Sequence, residues 1–297
     1  MDSTFFDIAG KRFHALTAGD PQAHCLLFLH GFPEYCGAWT DVIPHLADHF
    51  YCVAPDQRGY GQSWRGGEVA DYQAKHLARD AIAMIDRFGD GRATVIGHDW
   101  GASVAYAVAM RAPERVSRLI IANGVHPATF QKALASGGKQ SEASQYIEWL
   151  RAPGSEDALV AGDFEKMFGL FSRHMDMGWF TDAKRADYAA AWRDAAGVRG
   201  MVNWYRATPL QVAKPGAQIP PQDLPPWDPD ALRITMPHLL LWGMNDVALL
   251  PEARSGLEDF CDSLKVVEFP DADHWIPHQK PVEVARAIAA FCAENPA

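Results

Sequence analysis

Val95-Ile96-Gly97-His98-Asp99-Trp100-Gly101-Ala102 is the stretch from which the rest of the chain can be read. The apolar run at 93–96 has strand character, and the Ala- and Val-rich run at 103–111 has helix character. Between them lies a small–x–acid–x–small pentapeptide, the pattern of a sharp strand–turn–helix elbow. Gly97 and Gly101 carry no Cβ, so the turn can close and lift its middle side chain above the strand ends. Most such elbows carry serine in the middle; here it is Asp99. An acid at a helix start has two uses, as an N-cap or as a nucleophile, and the elbow alone does not choose between them.

On the amino-terminal side, residues 13–17 form a short strand pattern and residues 25–29 a continuous apolar run of strand length, stopped by His30-Gly31-Phe32-Pro33. Helical sequence is expected around 39–46. A second buried strand at 51–55 runs into Asp56-Gln57-Arg58-Gly59-Tyr60-Gly61-Gln62-Ser63. Leu77, Ala81, Ile82, Met84, Ile85 and Phe88 recur at helical spacing over 74–88. Beyond the elbow, 118–122 is another buried strand. Strands alternating with helices predict an α/β fold, a mostly parallel sheet covered on both faces.

The alternation then stops. Residues 125–232 hold helical pieces rich in Trp, Tyr, Phe and Met, closed by the Pro-rich stretch 215–229, which reads as a semi-rigid return linker. It resumes with strands at 238–242 and 265–269 and an amphipathic helix at 281–292. The expected organisation is one α/β core, residues 1–124 and 233–297, interrupted by a helical cap at 125–232. Two independent domains are the weaker alternative, because the flanking strands look like one interrupted sheet.

Composition narrows the function classes. Of 297 residues, 48% are hydrophobic and 22% charged, as in a packed globular protein. A formal charge of -10 argues against nucleic acid or an anionic membrane as partner. Met1-Asp2-Ser3-Thr4-Phe5-Phe6-Asp7 lacks the basic and apolar regions of a secretory leader. No run approaches the ~20 apolar residues that cross a bilayer. Five cysteines are scattered without a CxxC or CxxH pattern, which fits reduced thiols in a cytoplasmic protein, with Cys25, Cys52 and Cys292 in the core. No metal or organic cofactor is expected.

A carboxylate nucleophile restricts the electrophile. Attack on an acyl carbon would give a reactive anhydride, whereas attack on an sp³ carbon gives an ordinary ester that water can cleave. An epoxide or alkyl halide carbon therefore suits Asp99. The supporting residues follow in the chain order expected of this elbow: Asp246 in Leu241-Trp242-Gly243-Met244-Asn245-Asp246, then His274 in Asp271-Ala272-Asp273-His274-Trp275, each just past a strand that looks buried. His274, oriented by Asp246, would activate the water. Asp271 and Asp273 are rival acids but are expected to face solvent, and Asn123 lacks the charge. His30 and His98 look like local hydrogen-bonding residues. The backbone N–H groups of Phe32 and Trp100 would form the oxyanion hole.

With these residues the chain resembles a soluble-type epoxide hydrolase of the α/β-hydrolase superfamily. The likeness spans His30-Gly31-Phe32-Pro33, Arg58-Gly59-Tyr60-Gly61-Gln62-Ser63, Gly97-His98-Asp99-Trp100-Gly101, Asp246 and His274. The resemblance implies two cap tyrosines that hold the epoxide oxygen: Tyr205 within Asn203-Trp204-Tyr205-Arg206, and Tyr146 ahead of Pro153-Gly154. It implies a small-molecule epoxide and water as the reacting partners. Phenol groups with pKa near ~10 can donate to the alkoxide without being charged beforehand.

Haloalkane dehalogenases share the fold and an Asp nucleophile followed by Trp. Many carry Asn where this chain has Phe32, and they need a halide-binding indole, for which Trp149, Trp179, Trp192 and Trp204 are available. Fluoroacetate dehalogenases place Arg just after the nucleophile; Trp100 and Ala102 supply no such charge. A non-catalytic ligand-binding scaffold is the reading from another class, and it conflicts with the intact triad. Met175, Met177, Trp179 and Phe180 are further residues that would line a pocket or pack in the core.

Overall fold

The computed structural model describes residues 1–297. Eighteen elements follow in order: β1 (Asp2–Ile8), β2 (Lys11–Ala18), β3 (Cys25–Leu29), β4 (Tyr51–Pro55), α1 (Ala74–Phe88), β5 (Ala93–His98), α2 (Trp100–Arg111), β6 (Val116–Ala122), α3 (Pro127–Ala135), α4 (Lys139–Ala143), α5 (Gln145–Arg151), α6 (Ser155–Ser172), α7 (Asp182–Trp192), α8 (Ala195–Ala207), β7 (His238–Gly243), β8 (Leu264–Phe269), α9 (Ile276–Gln279) and α10 (Pro281–Glu294). The strands form one eight-stranded sheet, β1-β2-β4-β3-β5-β6-β7-β8. Pairs from β4 to β8 are parallel, and β1–β2 and β2–β4 are antiparallel. This is the mostly parallel α/β sheet expected from the alternation, in the α/β-hydrolase arrangement that the resemblance implies.

The continuous apolar runs are continuous because both faces are covered. Leu27, Leu29, Val95, Leu119 and Leu240 point to one side, into a core shared with Leu77, Met84, Val104 and Val108 of α1 and α2. Their neighbours Leu26, Phe28, Ile96, Ile120 and Leu239 point to the other, against Trp39, Ile43 and, from α10, Val284, Ile288 and Phe291. Each fully buried Leu or Ile contributes ~1.5–3 kcal/mol relative to exposure, so burial on the two faces together holds the sheet between its helices.

Two expectations change, and one strand had gone unread. Residues 39–46 form no α-helix, only 3₁₀ turns at Cys36–Trp39 and Ile43–His45. Pro44 in the second turn has no N–H to donate back along a helix. The strand before His274 is not buried: β8 is the sheet edge, with Val266 exposed. β1, at the opposite edge and largely exposed, had no apolar signature to reveal it.

No strand falls between β6 and β7; six helices, α3 to α8, fill that interval. Their buried aromatic side chains, Tyr188, Trp192, Trp204 and Tyr205 among them, join the same core as the α1/α2 face. α6 contains a break at Ala161–Phe164, where Gly162, Asp163 and Phe164 adopt positive φ. No helix is long and apolar enough to cross a membrane, and all five cysteines are free.

Candidate active site

The elbow forms because nothing bulkier would fit. A Cβ at Gly97 would lie 2.5 Å from Gly101 O, and one at Gly101 only 2.1 Å from Leu29 O. Asp99, between β5 and α2, has φ 50° and ψ −119°. A non-glycine residue held there costs ~1–3 kcal/mol, which the surrounding packing must offset. Asp99 occupies the N-cap position of α2, yet its side chain caps nothing. Its Oδ1 instead accepts from the Phe32 N–H at 2.8 Å, and its Oδ2 stands 3.6 Å from His274 Nε2. Of the two uses the elbow left open, capping is not the one made.

His274 and Asp246 follow β8 and β7, and both are buried. His274 Nδ1–H donates to Asp246 Oδ2 at 2.8 Å. The other oxygen accepts from the N–H groups of Ala248 and Leu249 at 2.8 and 2.9 Å. Asn123, at the end of β6, accepts from Gly243 N at 2.7 Å and donates to Asp246 Oδ2 at 2.8 Å. It carries no charge, but it aims the residue that does. Burial acts to raise the Asp246 carboxyl, but His274 and these donors hold it below the usual carboxylate value. For His274 burial acts to lower the imidazole; Asp246 and Asp99 outweigh it and hold the group well above the usual histidine value.

Glu34, which no local motif singles out, is fully buried beside the same loops. It accepts from Gly31 N at 3.3 Å, His98 Nδ1 at 2.8 Å, His278 Nε2 at 2.8 Å and the Tyr188 hydroxyl at 3.2 Å. Burial acts to raise its carboxyl, but His98 and His278 draw it well below the usual value. The other nitrogen of His98, Nε2, donates to the His274 carbonyl at 2.8 Å. His98 is therefore a long-range strut rather than a local bonding residue, with partners 64 and 176 positions away. His30 is only half local: Nδ1 donates to Gly31 O beside it, but Nε2 accepts from Gln57 N, 27 positions away.

Asp271 is exposed and paired with Lys280. Asp273 is not solvent-facing: it is buried and accepts from the N–H groups of Trp275 and Asp176, away from the His274 ring. The turn that exposes Asp271 folds Asp273 inward as a staple between β8 and the helical segment.

Tyr146 on α5 and Tyr205 on α8 come together over the elbow, ring centroids 6.1 Å apart. Tyr205 stands edge-on to Phe32 and to Trp100, at 5.1 and 5.0 Å. Both tyrosines line two small cavities with Asp99. Burial raises both phenols well above the usual value; the Asp99 carboxylate adds to this for Tyr146, and Tyr146 and then Asp99 do so for Tyr205. They stay protonated, as donors, throughout the neutral range.

The four tryptophans available as halide donors are placed elsewhere. Trp192 and Trp204 donate to the carbonyls of Pro33 and Arg58. Trp149 lies at the surface, and Trp179 stacks flat on His278 at 3.8 Å. Of the four residues expected to line a pocket or pack, Met175 borders an Asp99 cavity. Met177, Trp179 and Phe180 pack against the core instead. One group of metal-ligating types, His14, Cys36 and Asp56, clusters within 4.8 Å. Asp56 there already accepts from His14 Nδ1, Cys36 N and Gln62 N, so the cluster is a closed hydrogen-bonded knot.

Residues 25–281 match the model of a family described as alpha/beta hydrolase fold. The AB hydrolase superfamily protein YfhM of Bacillus subtilis is 32% identical over 97% of this chain and 96% of its own. Epoxide hydrolase 1 of Caenorhabditis elegans is 29% identical over 98% of this chain and 70% of its own. Among solved structures, an epoxide hydrolase from metagenomes of hot environments superposes with a TM-score of 0.87, at 37% identity, covering 98% of both chains.

Proposed function

This chain belongs to the alpha/beta hydrolase fold family and is a hydrolase, and from that premise we propose that it is an epoxide hydrolase working through an ester on Asp99. The observation that carries this is the Asp99 carboxylate itself. It sits at a helix start without capping it, held by one N–H and facing a cavity roofed by two protonated tyrosines.

In the first step Asp99 Oδ2 attacks one epoxide carbon from behind and the carbon–oxygen bond breaks. Tyr146 and Tyr205 donate to the departing alkoxide, and one of them gives it a proton. Alkylation also removes the Asp99 charge, one of the causes that raise His274. The imidazole is thereby shifted toward its neutral form at the stage where a base is needed. His274, oriented by Asp246, then takes a proton from water as that water adds to the ester carbonyl. The N–H groups of Phe32 and Trp100 hold the oxyanion: Phe32 already donates to Oδ1, and Trp100 opens α2, where a backbone N–H has no partner within the helix. The tetrahedral intermediate collapses as the bond from the Asp99 carbonyl carbon to Oδ2 breaks, and the imidazolium returns its proton to the departing diol oxygen. The new Asp99 carboxyl gives up its proton to restore the tyrosine, and a vicinal diol leaves. The helices between β6 and β7, residues 125–232, act as the cap that excludes bulk water.

A single turnover in ¹⁸O-labelled water tests the route. The label should enter the Asp99 peptide, because one carboxylate oxygen departs in the diol. Label found only in the diol would mean direct attack by water. Halide release from 1-bromobutane without diol from any epoxide would replace the reaction class.

A further inference from the structure

The space around Asp99 is strongly one-sided. A cavity of about 30 Å³ lies over the nucleophile. On one side it shares Asp99, Tyr146 and Tyr205 with a second cavity of about 40 Å³, lined also by Leu170, Met175 and Trp275. Each of these holds a few water molecules at most. On the other side it shares a wall of Trp100, Ser103, Val125, Phe130 and Leu210 with a third cavity of about 450 Å³. Fourteen of the 19 residues around that third cavity are hydrophobic, and its volume falls in the range that holds a complete small ligand. It runs along α2 past Ala107 and Met110, and its outer wall is Thr208, Trp227 and Leu232.

Resting on the epoxide-hydrolase reading, we infer that the substrate is an epoxide with one large apolar substituent, seated in this cavity, and a second carbon bearing hydrogen or at most a small group. Two large substituents would need volume on both sides of Asp99, and one side has about a tenth of the room of the other. The ordering follows from burial. Each methylene moved from water into the 450 Å³ cavity strengthens binding, and the same methylene directed at the 40 Å³ side meets Leu170 and Trp275.

Isomeric epoxides separate this from the reading beneath it. The full chain is assayed for diol from 1,2-epoxybutane, 1,2-epoxyoctane and trans-4,5-epoxyoctane, as wild type and as Ala107→Phe, which fills the cavity from α2. Thr208→Trp fills it from the opposite wall and serves if Ala107→Phe does not fold. The expected result is a kcat/KM for 1,2-epoxyoctane about tenfold or more above that for trans-4,5-epoxyoctane. Either filling variant should erase the advantage of 1,2-epoxyoctane over 1,2-epoxybutane while turnover of 1,2-epoxybutane persists. Equal rates for the two octane isomers, or a filling variant that handles 1,2-epoxyoctane like wild type, overturns the inference and leaves the reaction standing. No diol from any of the three overturns the reaction, and the substrate inference with it.

Discussion

The loops at the strand ends and the helices above them hold their reactive groups by different means. Asp246 has every oxygen engaged by a donor of fixed position, Asn123 is bonded at both ends, and His274 is held through its ring and through its carbonyl. Tyr205 and Tyr146 are held mainly by ring edges against Phe32, Trp100 and each other. Polar bonds fix an atom to a fraction of an ångström, while aromatic contacts fix a surface and leave it room to slide. The charge-bearing half is built for position and the roofing half for shape, which is the division expected where one chemistry must accept a shaped substrate.

The largest expected effect lies in the rigid half. Asp99→Ala should lower diol formation roughly 10⁴-fold or more. His274→Gln should accumulate the ester, read as a mass increase on the intact protein; prompt turnover by that variant would remove His274 as the base. In the roof, Tyr205→Phe and Tyr146→Phe should each slow ester formation by roughly 10²-fold, with little change in ester hydrolysis. Stopped-flow tryptophan fluorescence separates the two steps, and a defect confined to hydrolysis would put the tyrosines in the other half of the mechanism.

A smaller effect tests how the rigid half is held. Glu34→Gln replaces a buried carboxylate that receives four donors with an amide that brings donors of its own. Both steps should slow by roughly tenfold, and the melting temperature should fall by several degrees. Unchanged kinetics with only a lower melting temperature would reduce Glu34 to a stability role.

The smallest effect is a titration. Asp99→Asn removes one of the charges that raise His274, so its imidazole should titrate at lower pH than in wild type, read by NMR of the ring protons. An identical titration would mean that Asp246 alone sets it. The sign for stability follows from the raised folded value. The His274 contribution is complete below the usual 6.5 and is lost as pH rises through the higher folded value.

Much of the sheet was legible because burial on two faces leaves an uninterrupted apolar run. Residues 25–29 and 51–55 match β3 and β4 to the residue, and 74–88 matches α1. The edges were not legible, since β1 and β8 are half-solvated and carry mixed sequence. Asp99, Asp246 and His274 stood out because each follows a strand with recognisable turn chemistry. Glu34 and the true reach of His98 did not, because their meaning lies in partners up to 244 positions away, and no local pattern encodes such a distance. Asp273 misled for the opposite reason: its neighbour Asp271 is exposed, and one turn carries the two to different environments.

The Pro-rich stretch does more than return the chain to the sheet. Trp227 from that stretch, with Leu232 just beyond it, walls the 450 Å³ cavity, yet the bonds that hold Asp99, Asp246 and His274 come from other parts of the chain. Substitutions in this segment can therefore change what the cavity admits while the chemistry below persists. For natural drift or laboratory selection that makes it the most permissive place to acquire a new diet, one residue at a time, without passing through a dead enzyme.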